Sequence, residues 1–310
     1  MNTETPLLDI WRFTDGKPGH ENQSLGLIQA LQKRRNVRIQ EWRVPSSFFG
    51  RWRWFVKWKQ EVTGIQTPDL IIGAGHRTHR MVLRARKFFG GRSIILMKPS
   101  LPVSWFDLCI IPEHDHVKSY QNVMKVLGVL NTIEPSNHHD IAIGLMLIGG
   151  PCRHVCWSDE EVVDQIATIV TATPEIRWEL TTSRRTPPSF LPEIQAKISA
   201  PNLTCTPVTQ TKPGWVAQKL EISKYVWATS DSVSMLYEAL TSGASTGVLD
   251  VPWTSSGKLR KGVDLLIQNK MVTPFSEWSP GVTLAGPSKP LHEAQRVADW
   301  MIEEWFKSNA

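Results

Sequence analysis

The sequence predicts an α/β protein of two doubly wound domains facing a cleft. Three observations predict it. Short continuous apolar runs end in Gly- or Pro-rich turns and lead into helix-like patterns; strands buried on both faces of a parallel sheet look like this. The alternation restarts near residue 140, and strands alternating with helices argue for parallel sheets. The 310 residues suit about two domains of ordinary size.

In the first half the strand-like runs are LLDIWRF, VRIQEWRV, PDLIIGAG, RSIILMKP and FDLCIIP, with helix-like SLGLIQALQKR and HRTHRMVLRARKFF between them. In the second, IAIGLMLIGGP is followed by SDEEVVDQIATIV, where Ser158 and Glu161 form a capping box. RWELTTS, LTCTPVT, YVWATS and STGVLDV continue as strands, and SVSMLYEALTSG reads as a helix closed by Gly243. KPLHEAQRVADWMIEEWFKS is an amphipathic helix whose apolar residues include Val297, Trp300, Met301, Ile302 and Trp305. The expected boundaries are a first domain over 1–139, a second over 140–289 and a terminal helix over 290–310.

Charged residues make up 21 % and hydrophobic residues 41 %, an ordinary folding composition. No run approaches the roughly 18 apolar residues of a membrane span, and no basic-then-apolar leader opens the chain, so secretion is not expected. Four cysteines are too few for a disulfide framework in a chain of this length and fit a reducing cytoplasm. Cys152, His154 and Cys156 lie close in sequence, but no second ligand pair completes a zinc set. The other histidine pairs match no zinc signature, so no metal is expected. The formal charge of +6 favours an anionic partner.

Ligands of open α/β sheets bind at the carboxyl ends of strands, so the loops after strands are the candidate sites. TDGKPGHENQSLG follows the first strand. Gly16 and Gly19 allow a tight turn and close approach of a ligand, Asp15 and His20 are acid–base candidates, and Asn22 and Gln23 add amides. The alternative is a well-capped turn. His76 and His114, each after a strand, extend this acceptor-side set. In the second half, Gly149 and Gly150 end a strand in a phosphate-sized turn. Ser183, Arg184 and Arg185 follow another, where paired guanidiniums suit a diphosphate, or are simply solvated. TSDSVSMLYEAL places Ser230, Asp231, Ser232, Ser234 and Met235 at a helix start, where an anion is favoured. Glu238 lies one turn beyond Ser234, placed to bind ribose hydroxyls. No P-loop, GxGxxG or GxSxG pattern is present.

Residues 46–60 read SSFFGRWRWFVKWKQ. On a helix, Phe48, Phe49, Trp52, Phe55 and Val56 share one face, and Trp54 and Trp58 form a second stripe flanked by Arg51, Arg53, Lys57 and Lys59. Three readings stand: a helix packed into the domain, a membrane-surface helix using Trp52, Trp54, Trp58 and those cations, and a nucleic-acid surface. Charge confined to one segment rather than spread over a face leaves nucleic acid not expected as a partner.

The motifs TDGKPGHENQSLGL, PDLIIGAGH, FDLCIIPEHD, IGGP, TTSRRTP and TSDSVSMLYEA, in this order over residues 11–265, resemble the mitochondrial-fission "elongated mitochondria" family and its bacterial members. That family is in turn similar to GT-B glycosyltransferases. The resemblance implies two Rossmann-like domains, an N-terminal one for the acceptor and a C-terminal one for a nucleotide sugar, and a final helix crossing back to the first domain. It implies Ser232, Ser234 and Glu238 as nucleotide contacts and His20 as base, with no metal or other cofactor. The implied activity moves a sugar from a nucleotide donor to a lipid-linked or envelope acceptor at the cytoplasmic membrane face. A non-catalytic membrane-associated adaptor on a degenerate scaffold is the alternative. Two departures stand out. IGGPCRH lacks the GGSxG form of peptidoglycan-type transferases, and Lys98 stands where related chains carry an acid.

Overall fold

The computed structural model describes residues 7–115 and 117–306; the side chains of Phe48, Phe49, Arg51 and Trp52 lie outside the described residues, as does His116. The chain divides into two compact units, one within Met1–Thr132 and Glu293–Ala310, the other Ile133–His292.

The first unit alternates β1 (Leu8–Thr14), α1 (Pro18–Gln32), β2 (Val37–Arg43), α2 (Phe48–Glu61), β3 (Leu70–Ala74), α3 (His79–Phe89), β4 (Arg92–Leu96), β5 (Leu108–Pro112) and β6 (Val123–Val126). All pairings are parallel and the strand order is β2-β1-β3-β4-β5-β6. The apolar runs of β3 and β5 are buried throughout, as strands covered by helices on both faces require. β1 is buried at every position, although it carries Asp9 and Arg12. Both charges are paired with the edge strand: Asp9 with Arg38 at 2.5 Å and Arg12 with Glu41 at 2.5 Å. Those pairs offset the desolvation of charges so near the core.

The second unit runs β7 (Asp140–Leu147), α4 (Asp159–Ala172), β8 (Arg177–Thr181), α5 (Phe190–Lys197), β9 (Leu203–Thr206), α6 (Trp215–Ile222), β10 (Ser223–Thr229), α7 (Val233–Ser242), β11 (Ser245–Leu249), α8 (Lys258–Gln268) and β12 (Thr273–Pro274). This sheet is also parallel, in the order β12-β11-β10-β7-β8-β9. Numbered within the unit, that is the 3-2-1-4-5-6 order of dinucleotide-binding sheets. Ser158 caps α4 by accepting from the Glu161 N–H, and Gly243 ends α7 with φ 89°, both as the sequence predicts.

The last helix, α9 (Glu293–Trp305), belongs to the first unit. Val297 and Met301 are fully buried in one cluster with Leu27, Ile28 and Leu31 of α1. Arg34 binds Asp299 at 2.6 Å and Arg35 donates to the Phe306 carbonyl at 2.7 Å. The chain thus returns after the second unit to complete the core of the first.

The structure corrects the reading of α2. Trp58, expected on an outer stripe, is 1 % exposed and sits at the centre of an aromatic cluster. Its ring meets Trp11 at 5.5 Å, Phe13 at 5.5 Å and Trp42 at 5.8 Å, edge to face, and stacks on half-buried Trp54 at 5.7 Å. Phe55 and Val62 pack on the same side, while Val56, expected to face the core, is 44 % exposed. The core takes the i, i+3, i+7 positions 55, 58 and 62 because that row faces β1 and β2; the amphipathic pattern did not distinguish it from the neighbouring row. Strands β6 and β12 and helices α5, α6 and α8 were not read from the sequence. The two strands are short edge pieces, and the helices lack long apolar runs.

Candidate functional site

Each unit gathers its chemistry at one place in its sheet. In the first, the strand order reverses between β1 and β3, and a reversal of this kind opens a crevice at the carboxyl ends. The loop after β1 carries Asp15 and, through the Gly16 turn, enters α1 with Pro18 in its first turn. Lys17 N–H donates to Asp15 Oδ1 at 3.2 Å, an Asx-type turn that holds the carboxylate still. His20, in the first turn of α1, places Nδ1 3.0 Å from both Asp15 oxygens. The Asp15 side chain is fully buried, and that of His20 is 19 % exposed. A carboxylate only accepts, so Nδ1–H donates to Asp15, which leaves Nε2 as the acceptor nitrogen of the ring when it is neutral.

Gly75, directly after β3, closes over this pair with φ 84°. A Cβ there would stand 2.3 Å from His20 Nδ1 and 2.9 Å from Asp15 Oδ2. Only a glycine accepts both that conformation and that approach. Beyond it, His76 is exposed. His79 is buried against Ser100, with Nδ1 to Oγ at 3.2 Å. Burial pushes the His79 pKa down to about 4, helped by the charges of His76 and His20 nearby, so it is neutral at ordinary pH.

In the second unit the reversal lies between β7 and β10, bringing together the loops after β7, β8 and β10. Gly149 N–H donates to Thr229 Oγ1 at 2.8 Å and Gly150 N–H to Asp231 Oδ2 at 3.2 Å. Ser183 Oγ–H donates to the Gly149 carbonyl at 2.8 Å, and Thr186 donates to the same oxygen. Arg185 spans the loops: Nη1 meets the Gly150 carbonyl at 2.5 Å and Nη2 meets Asp231 Oδ2 at 2.6 Å and Ser232 Oγ at 3.1 Å. Ser232 is the N-cap of α7, whose first N–H groups have no partner within the helix. Ser234 is exposed and Glu238 half-buried, one turn apart. Among the described residues no three His, Cys, Asp or Glu side chains are placed to hold a metal ion.

The family model described as Mitochondrial fission ELM1 matches residues 18–305. The chain belongs to this family. It is also 24 % identical to the uncharacterized protein RP120 of Rickettsia prowazekii (strain Madrid E), over 94 % of this chain and 97 % of that protein. Among solved structures, it resembles MurG of Acinetobacter baumannii with a TM-score of 0.55 at 12 % identity, covering 96 % of this chain and 99 % of that one. It resembles a putative UDP-N-acetylglucosamine 2-epimerase from Listeria monocytogenes with a TM-score of 0.58 at 12 % identity, covering 96 % and 89 %. These likenesses show the fold, that of GT-B glycosyltransferases and related epimerases.

Within this ELM1-family fold the predicted site residues separate into two groups. Asp15, Gly16 and His20 converge with Gly75 at one switch point; Gly149, Gly150, Ser183, Arg185, Asp231 and Ser232 converge at the other. Several of the remainder are occupied structurally. Asn22 accepts from Thr132 Oγ1 at 3.0 Å, and Gln23 is buried against Met97 Sδ at 3.6 Å. Ser230 exchanges two 3.2 Å bonds with the Val251 backbone. Gly19 is exposed in the first turn of α1, Arg184 is exposed, and Met235 is half-buried on α7. His114 follows β5, three strands from β1 and therefore about 14 Å across the sheet from the strand that carries the Asp15–His20 loop. Lys98 Nζ donates to the Asp115 carbonyl at 3.4 Å. Three residues were missed by the sequence reading: Gly75, His79 and Thr186. The apolar run ending in GAGH marked Gly75 as the end of a strand, but nothing local pointed it at His20.

No helix of the described residues is long and apolar enough to cross a membrane. Of the residues assigned to a membrane surface, Trp58 is withdrawn into the core. Trp54 is half-buried, and Arg53 and Lys57 are exposed. The side chains of Trp52 and Arg51 lie outside the described residues.

Proposed function

We propose that this protein is a GT-B-type glycosyltransferase that moves a sugar from a nucleotide donor to a lipid-linked or cell-envelope acceptor at the cytoplasmic face of the membrane. One observation carries the reading: the Gly149–Gly150 turn and the N-terminus of α7 meet at the switch point of a 3-2-1-4-5-6 parallel sheet, where such sheets hold the phosphates of nucleotides. The epimerase whose fold this chain shares is named for a UDP-sugar, which supports a nucleotide sugar as ligand. Glu238 takes the ribose hydroxyls, Ser234 and the α7 N–H groups take phosphate oxygens, and Arg185 balances the leaving diphosphate. In the first unit, His20 Nε2 removes the acceptor hydroxyl proton while Asp15 stabilises the resulting imidazolium. No metal is needed for these roles. The membrane part of the proposal rests on the exposed Arg53, Val56 and Lys57 of α2, a basic face with an apolar element.

A thermal-shift series with UDP, GDP, CMP, ADP and dTDP tests the donor site. One nucleotide is expected to raise the melting temperature of the wild type and not of Glu238→Ala. No shift with any nucleotide, in the wild type or in an Asp231→Asn variant that removes the buried carboxylate charge, would sink the transferase reading. The second reading, a non-catalytic adaptor on a transferase scaffold, is favoured by one observation: a buried carboxylate, Asp231, stands among the donors that would take phosphate. It predicts vesicle binding without nucleotide binding.

A further inference from the structure

The anion cradle of the second unit is filled by the chain's own carboxylate. Gly150 N–H, Ser232 Oγ–H and Arg185 Nη2 lie beside the start of α7, and all three meet one oxygen, Asp231 Oδ2, at 3.2, 3.1 and 2.6 Å. One backbone N–H, one hydroxyl and one charged fork at a helix N-terminus form the donor set that a phosphate oxygen takes. The Asp231 side chain is 0 % exposed. Its other oxygen, Oδ1, is buried with no hydrogen-bond partner among the described residues. It lies over Gly149, where a Cβ would stand 2.5 Å away. The large majority of buried polar side-chain atoms are hydrogen-bonded, because an unserved one loses its hydration for nothing. Here one oxygen has the three donors and the other, among the described residues, has none.

The neighbouring backbone is tied down. Ser230 N–H donates to the Leu249 carbonyl and Ser232 N–H to the Thr229 carbonyl, each at 3.0 Å, and Ser230 Oγ is bonded to Val251. Asp231 therefore leaves the cradle by turning its side chain, not by moving the loop. Arg185, with its side chain 42 % exposed, has the freedom to stay behind and receive another anion.

We propose that Asp231 is a built-in stand-in for the donor's phosphate: it occupies the cradle when the site is empty, must swing out before a nucleoside diphosphate enters, and so sets the affinity of the site for anions. The inference rests on the nucleotide-sugar reading of this unit. Two anions cannot share the same three donors out of water. The resident carboxylate thus weakens every diphosphate ligand by the same factor and leaves recognition of the ribose to Glu238.

The test is calorimetric titration of UDP, with GDP, CDP, ADP and dTDP in parallel, into the wild type, Asp231→Asn, Asp231→Ala and Glu238→Ala. Asn keeps the shape and removes the charge, so it carries the test if the Ala variant folds poorly; melting curves show which variants are folded. At least one diphosphate is expected to bind both Asp231 variants ~10-fold or more tightly than the wild type, with the unphosphorylated nucleoside unchanged. Binding to Asp231→Ala only, with none detectable to the wild type, supports the proposal equally. Equal or weaker binding to folded Asp231 variants, with Glu238→Ala still impaired, overturns the stand-in role and leaves the nucleotide reading in place. No binding of any diphosphate to any protein overturns both.

Discussion

Asp15 grips His20 with both carboxylate oxygens, each 3.0 Å from Nδ1, and Gly75 seals the pair from the β3 side. The arrangement fixes the imidazole tautomer and leaves a single nitrogen for chemistry. His20→Ala and Asp15→Asn are each expected to lower kcat of the proposed sugar transfer by ~10²–10⁴-fold, with little change in KM for the donor. Unchanged turnover in both variants would remove the dyad from the mechanism.

Gly75→Ala tests the seal separately from the dyad. The added methyl meets His20 at 2.3 Å in a backbone conformation with φ 84°. It should destabilise the fold by about 1–3 kcal/mol and lower kcat by displacing the ring. A variant with wild-type melting and turnover would show that the loop simply shifts aside.

His79 makes stability depend on pH. Its folded pKa is depressed from 6.5 to about 4, chiefly by burial, so the unfolded chain binds the proton more readily. The stabilisation is complete above the unfolded value and is lost as pH falls from 6.5 towards 4, reaching ~3 kcal/mol. Denaturant titrations across that window should show the loss in the wild type and a shallower slope in His79→Gln. Identical slopes would mean that another group is responsible.

The two faces of α2 should respond to different assays. Trp58→Ala empties the centre of the aromatic cluster and is expected to cost about 3–5 kcal/mol. Arg53→Glu and Lys57→Glu leave the core alone. Each should weaken binding to anionic phosphatidylserine vesicles by roughly 1 kcal/mol or more, about fivefold. If neither charge reversal changes vesicle binding, α2 is a packing helix only.

Arg185 and Asp231 form a coupled pair, with Nη2 to Oδ2 at 2.6 Å. Removing Arg185 alone leaves a carboxylate buried with fewer donors, a change worth roughly 1–3 kcal/mol. Arg185→Ala/Asp231→Ala should recover part of that loss. A double variant no more stable than the single one would show that the pair is not what holds the two loops together.

Much of this molecule was legible because parallel α/β units announce themselves locally. A five-residue apolar run followed by glycine and a capped helix implies a strand, a turn and a carboxyl-end loop, whatever packs around it. Asp15, His20, Gly149 and Ser232 were accessible to that logic, since all lie within a few residues of a strand end. Gly75 was not, because its role comes from contact with residue 20, a neighbour only once β1 and β3 pair. Trp58 was misread for a related reason. Two rows of aromatics on one helix look alike until β1 and β2 supply Trp11 and Trp42 to pack against one of them.

The sequence by itself determined the type of most elements, though not of β6, β12, α5, α6 and α8, together with the restart of the pattern near residue 140, the final amphipathic helix and the loops that carry polar chemistry. These follow from short-range periodicity and turn chemistry. The tertiary structure alone decided the strand order, and with it which loops meet at a switch point. It also decided which residues of α9 enter the core of the first unit, a return that the family resemblance had implied, and that Arg185 turns inward onto Asp231 rather than out to solvent. Those outcomes depend on contacts between residues tens to hundreds of positions apart, and helix or strand periodicity carries no information over such separations.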